Sequence, residues 1–109
     1  MPKGYVIMTE AIHDEESMAA YGAASAESMV EAGARVRVVD SNPQVLEGQW
    51  HGHRTVVVEF ASVEAARAWY DSAAYRAARP LRQAAAVTNA VIVAGFDPAM
   101  RPPVQEPGQ

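Results

Sequence analysis

A carboxylate embedded in an apolar strand is the most suggestive chemical feature of this sequence. Glu59 lies in the run Thr55-Val56-Val57-Val58-Glu59-Phe60. Strand alternation places Thr55, Val57 and Glu59 on one face and Val56, Val58 and Phe60 on the other. With Phe60 turned to the helices, Glu59 points into whatever covers the opposite side. A desolvated carboxyl there has a raised pKa and suits proton transfer near neutral pH, unless Arg54, Arg37 or Arg82 pairs with it. Such an ion pair, or a wet position at the strand end, is the competing structural role. Arg54, just ahead of the run, has the donor geometry to grip a carboxylate or enolate oxygen. Arg82, beyond Pro80, is a second cationic candidate.

His51-Gly52-His53 precedes that strand, with His13 far away in the sequence. Imidazoles two apart on an extended segment share a side, but no third ligand falls at a fixed spacing, so no metal site is assigned. Acid–base use of His51 or His53 fits their ordinary pKa better. Trp50, on the same glycine-flanked loop, is a candidate for walling a pocket or sealing a subunit interface. Tyr70 is a second lining candidate, and Glu47 either lines the pocket or accepts hydrogen bonds within its turn. Trp69 and Tyr75 read as core, as do Met18 and Met29. No glycine cluster opens a helix in the manner of a phosphate loop, and no cofactor is expected.

The elements that must position these residues follow from periodicity. Residues 4–11, with Tyr5-Val6-Ile7-Met8, read as the first strand. Asp14 is the expected N-cap of a helix whose stripe runs Met18, Gly22, Ser25, Met29, Ala32, and Gly33 is the expected residue ending it. Residues 34–40 alternate as a second strand, broken by Ser41-Asn42-Pro43. A glycine-punctuated connection over 45–53 leads to the strand 54–60. Ser62 caps a helix through Trp69-Tyr70, Ser72 caps a further short one, and Pro80 is expected to interrupt it. Residues 88–94, with Val91-Ile92-Val93, form the last strand. The expected domain is 3–96, followed over 97–109 by a loose tail holding four of the seven prolines.

The order β-α-β, β-α-β is the split βαβ arrangement of ferredoxin-like α+β folds, with a four-stranded antiparallel sheet covered by helices on one face. An uncovered second face should alternate apolar with polar residues. Val56-Val57-Val58 and Val91-Ile92-Val93 do not alternate, so both faces are apolar. A partner sheet packed face to face would bury the second one, and a homodimer is expected. Shielding by the tail is the competing explanation.

Composition narrows the classes. At 109 residues the chain fits one domain, able to bury roughly 65% of its unfolded surface. A net charge of −4 with no basic run argues against nucleic acid or an acidic membrane surface as partner. There is no cysteine, which excludes thiol catalysis, disulfides and thiolate metal sites. No segment reaches the ~20 apolar residues of a membrane span. The start, Met1-Pro2-Lys3-Gly4-Tyr5, reads as the approach to a strand, and a cytoplasmic location is expected.

Leu46-Glu47-Gly48-x-Trp50, the strand 54–60, the stretch 65–75 with Trp69-Tyr70-Asp71-Ser72, the start Gly4-Tyr5-Val6-Ile7, and Arg79-Pro80-Leu81-Arg82 together resemble the domain of unknown function 1330 family. The resemblance spans residues 4–95. It departs from the family's pattern at Asp14-Glu15-Glu16, where Asp-Pro-Glu is frequent, and at Val39-Asp40-Ser41-Asn42-Pro43, where a glycine-rich, arginine-containing turn is common. It implies a ferredoxin-like domain of the dimeric α/β-barrel superfamily, whose members include cofactor-free oxygenases, cyclases and isomerases of compact carbonyl and polyketide-like substrates. The expectation is proton transfer beside a carbonyl, with Glu59, His51 or His53 as base, Arg54 on the enolate oxygen, and Trp50 and Tyr70 lining the cavity. A ligand-binding accessory module and a histidine-ligated haem protein are the rival classes.

Overall fold

The computed structural model describes residues 2–96 and 98. The tail expected over 97–109 therefore lies, apart from Pro98, outside the described residues. Four strands and three helices follow in the order β1 (Gly4–Ile12), α1 (Glu15–Glu31), β2 (Arg35–Asp40), β3 (Arg54–Phe60), α2 (Val63–Asp71), α3 (Ala73–Ala85) and β4 (Ala86–Ala94). The sheet is antiparallel throughout, with strand order β2-β3-β1-β4. This is the ferredoxin-like α+β architecture expected from the element order.

Helix ends form where the local chemistry predicts. Asp14 accepts the Ser17 amide at 3.1 Å and so caps α1. Gly33, at φ +68°, takes the left-handed conformation just past its end. Ser72 serves two helices, accepting the Tyr75 amide at 3.2 Å and donating its hydroxyl to the Trp69 carbonyl at 2.7 Å.

Two local expectations are corrected. Pro80 does not break its helix, because α3 runs unbroken from Ala73 to Ala85. Pro80 lies on the exposed side, where water can satisfy the carbonyl it frees, while Tyr75, Ala78, Arg82 and Ala85 bury the other side and hold the two halves in line. The buried stripe of α1 is Met18, Tyr21, Ser25 and Ser28. Gly22 is exposed, so the stripe is centred one residue earlier than predicted, and a tyrosine takes the glycine's place.

The core lies between helices and sheet. Val6, Met8, Val56, Val58 and Phe60 point into it from the strands, and Met18, Tyr21, Ala66, Trp69 and Tyr75 from the helices. Trp69 and Tyr75 stack with ring centroids 4.0 Å apart, and the Trp69 indole donates to the Ser28 hydroxyl at 3.1 Å, joining α2 to α1. The opposite face of the sheet carries an accessible apolar patch along β4: Val87 is exposed, Val91 is 52% exposed and Val93 is 39% exposed.

The edge strand β2 carries an irregularity between Val36 and Val38. The extra residue, Arg37, shifts the phase of the alternation. Val36 and Val39 thus both lie on the helix side, opposite Val58 and Val56, and Val38 lies on the outer side, opposite Val57.

Candidate functional site

The helices leave the β2 end of the sheet partly uncovered. A cleft of about 270 Å³ opens there between α1 and the sheet, its sheet wall formed by Met8, Val36, Val39, Val56 and Val58 and its helix wall by Tyr21 and Met29 among others. Two charged residues, Glu10 and Arg54, interrupt this apolar lining.

Glu10 and Arg54 are register partners across β1 and β3. Both lie on the helix-facing side, since Glu10 continues the parity of Val6 and Met8, and Arg54 that of Val56, Val58 and Phe60. Glu10 is 2% exposed. Its Oε1 lies 3.3 Å from Arg54 Nε, yet neither atom has a hydrogen-bond partner among the described residues. The pair is held by charge at a misaligned angle, which leaves both groups able to bond something else. Burial pushes the Glu10 carboxyl above its ordinary value of 4.5, against the pull of Arg54, Arg82 and His53.

From Tyr21 on the cleft wall a chain of polar side chains runs back into the core. Arg82 Nε donates to the Tyr75 hydroxyl at 3.2 Å, and the Tyr75 and Tyr21 hydroxyls lie 2.9 Å apart. Burial, with Tyr75 beside it, raises the Tyr21 phenol well above its ordinary range, so it stays protonated.

The residues singled out by sequence scatter over several places. Arg54 lines the cleft, Arg82 is buried behind it, and His53 is exposed while its backbone N–H donates to the Glu10 carbonyl at 3.0 Å. Glu59 lies on the outer face, as alternation requires, and is thereby cut off from Arg54 by the sheet itself. Its carboxyl accepts from Arg37 at 2.5 Å, with Lys3 4.0 Å away. The Arg37 hydrogen bond holds it below the ordinary glutamate range, the compensated arrangement rather than the raised one. His51 bonds through Nε2 to the Val87 carbonyl at 2.8 Å. Gly52, at φ +73°, breaks the extended path that would have aligned the two imidazoles. Among the described residues no cluster of three or more ligating side chains is suited to a metal.

Trp50 and Glu47 line a different hollow, of about 490 Å³, between the 41–53 loop and the outer face at Val38 and Thr55. The Trp50 indole donates to the Thr55 hydroxyl at 2.8 Å. Tyr70 lies elsewhere again, its ring under the Arg79 guanidinium at 4.1 Å. Glu10 and Tyr21 escaped the sequence reading. The signal for Glu10 was present in its shared parity with Val6 and Met8; for Tyr21 it was hidden by the misplaced helix stripe.

Residues 3–96 match a family described as Domain of unknown function (DUF1330). No curated protein matches the sequence. Among solved structures, the chain is similar to a protein of unknown function from Rhodopseudomonas palustris, at 22% identity and a TM-score of 0.73, over 89% of this chain and 85% of that one. It is also similar to a protein from Thermobifida fusca described as dimeric, ferredoxin-like and of unknown function, at 16% identity and TM-score 0.56, covering 85% and 91%. A third, from Nitrosomonas europaea and provisionally named an antibiotic biosynthesis monooxygenase, shares 17% identity at TM-score 0.52, covering 90% and 95%. At these identities the likeness establishes the fold. Among the described residues no helix is long and apolar enough to cross a membrane.

Proposed function

The chain belongs to this DUF1330 family, and we propose that it is a homodimeric, cytoplasmic enzyme that moves a proton beside the carbonyl of a compact apolar metabolite. The observation that carries the reading is the Glu10 carboxyl, buried, unbonded at Oε1 and set beside Arg54 in an apolar cleft. As a base it would take a proton from the carbon next to a carbonyl. The C–H electron pair would move into the C–C bond and the carbonyl electrons onto oxygen, where Arg54 meets the charge. Returning the proton at another carbon completes an isomerisation with no net oxidant. Cyclisation would instead add that carbanion to a second carbonyl carbon, whose π electrons move onto its oxygen and take up the proton. Oxygenation would join it to O2, which is reduced in the step to a hydroperoxide on the same carbon. The exposed His53, near enough to act electrostatically on Glu10, is suited to exchanging its proton with solvent. No cofactor is needed for any of these steps as written.

The homodimer rests on the apolar outer face and on a structural neighbour described as dimeric. Two sheets packed through Ile7, Val57, Val91 and Val93 would form the barrel, and Trp50 and Leu46 on the adjoining loop would lie at its seam.

The test is exchange of α-protons. Compact ketones and β-keto acids are screened for binding by NMR, and each binder is followed in D2O. Wild-type protein should catalyse deuterium incorporation and Glu10→Gln should not. Binding with no exchange in wild type would favour the rival reading, a module that only recognises its ligand.

A further inference from the structure

We infer that Tyr21 is the hydrogen-bond donor for the carbonyl or enolate oxygen of a ligand in the α1–sheet cleft, its proton turned into the cleft by Arg82 acting through Tyr75. The inference rests on the reading of that cleft as the ligand site. It goes beyond that reading by assigning a second group to the ligand oxygen, opposite in role to Glu10.

The direction follows from counting protons along the chain. A guanidinium N–H can only donate, so the Tyr75 oxygen accepts from Arg82 at 3.2 Å. Two arrangements remain for the 2.9 Å contact between the phenols. If Tyr21 donated to Tyr75, the Tyr75 proton would have no acceptor among the described residues, on a side chain that is 0% exposed. Buried donors left unpaired are strongly disfavoured. If Tyr75 donates to Tyr21, the unpaired proton belongs instead to Tyr21, which lines the cleft beside Glu10. There a ligand or water can accept it. Burial therefore selects the order Arg82 to Tyr75 to Tyr21 to cleft, and three residues from α1 and α3 place one donor at its wall. Tyr75 and Arg82 are positioning residues, since they act through Tyr21.

The experiment uses 4-nitrophenol, a compact oxyanion whose visible absorbance reports its ionisation. Wild-type protein should bind it saturably. Tyr21→Phe should weaken binding of the phenolate about ten- to a hundredfold, the loss expected for one hydrogen bond to a charged oxygen, and raise the pH at which the bound probe ionises. Tyr75→Phe, which cuts the chain behind the cleft wall, should raise that pH in the same direction with a smaller loss of affinity. Should Tyr21→Phe fail to fold by thermal melt, Tyr75→Phe carries the test. Gly22→Leu fills the cleft mouth at a helical position where an added Cβ meets nothing within 4 Å, and leucine favours the helix. It should abolish binding. Binding lost in Gly22→Leu but unchanged, with an unmoved ionisation pH, in both tyrosine variants would overturn the tyrosine assignment and leave the cleft standing. No saturable binding to wild type, or binding unaffected by Gly22→Leu, would overturn the cleft reading and the assignment with it.

Discussion

Gly52 packs its α-carbon against the backbone carbonyl of Glu10, so closely that a Cβ would collide with it. His53 donates its N–H to that same carbonyl at 3.0 Å. The loop ahead of β3 is thus pinned to the strand that carries the buried carboxylate. Gly52 also has φ +73°, where a side chain is strained. Gly52→Ala should therefore cost more than about 2 kcal/mol, because both the conformation and the close approach are lost. Chemical denaturation measures the loss, and amide exchange should locate new opening at Glu10.

Replacing Arg54 should make stability more dependent on pH. Glu10 has a native pKa raised above its ordinary 4.5, so the folded state holds the proton more tightly than the unfolded one. Stability contributed by the neutral carboxyl is present below 4.5 and declines as pH rises through the raised native value. Arg54→Met removes the principal opposing charge, which raises that value further. The variant should lose about 2 kcal/mol relative to wild type at pH 8, less than for a fully buried pair because Arg54 is partly solvated, and distinctly less at pH 5. Urea melts at the two pH values decide it; equal losses would mean Glu10 is not ionised in the native protein at pH 8.

Charge on the outer face should dissociate the proposed dimer. Val91 is the register partner of Ile7 in the middle of that face. Val91→Glu would place a carboxylate opposite an apolar sheet and should weaken association by at least about a hundredfold. Sedimentation velocity should show wild type as a dimer and the variant as a monomer with unchanged far-UV circular dichroism.

Glu59 should act in acid, with the opposite sign to Glu10. Its native pKa is lowered, chiefly by the Arg37 hydrogen bond. Stability from the ionised form is complete above 4.5 and is lost as pH falls through the lowered native value. Glu59→Gln should flatten the acid limb of the stability curve below 4.5 and leave α-proton exchange at neutral pH unchanged.

Much of this architecture was legible in the amino-acid sequence because it depends on neighbours along the chain. The periods of 2 and 3.6, the caps at Asp14, Ser62 and Ser72, and the two-sided valine runs locate the strands, the helix starts and the apolar outer face. Parity alone also separates Glu59 from Arg54, since five residues of strand put them on opposite sides. Tertiary structure decided the rest. Pro80 stays helical because packing on its buried side outweighs the lost backbone bond. The irregularity at Arg37 re-phases β2 through its pairing with β3, which no local rule anticipates. Glu10 meets Arg54, and Arg82 reaches Tyr75 and Tyr21, only once β1, β3, α1 and α3 are laid together. A site assembled from four elements depends on distances through space, and those are set by how faces pack rather than by the spacing of residues on any one of them.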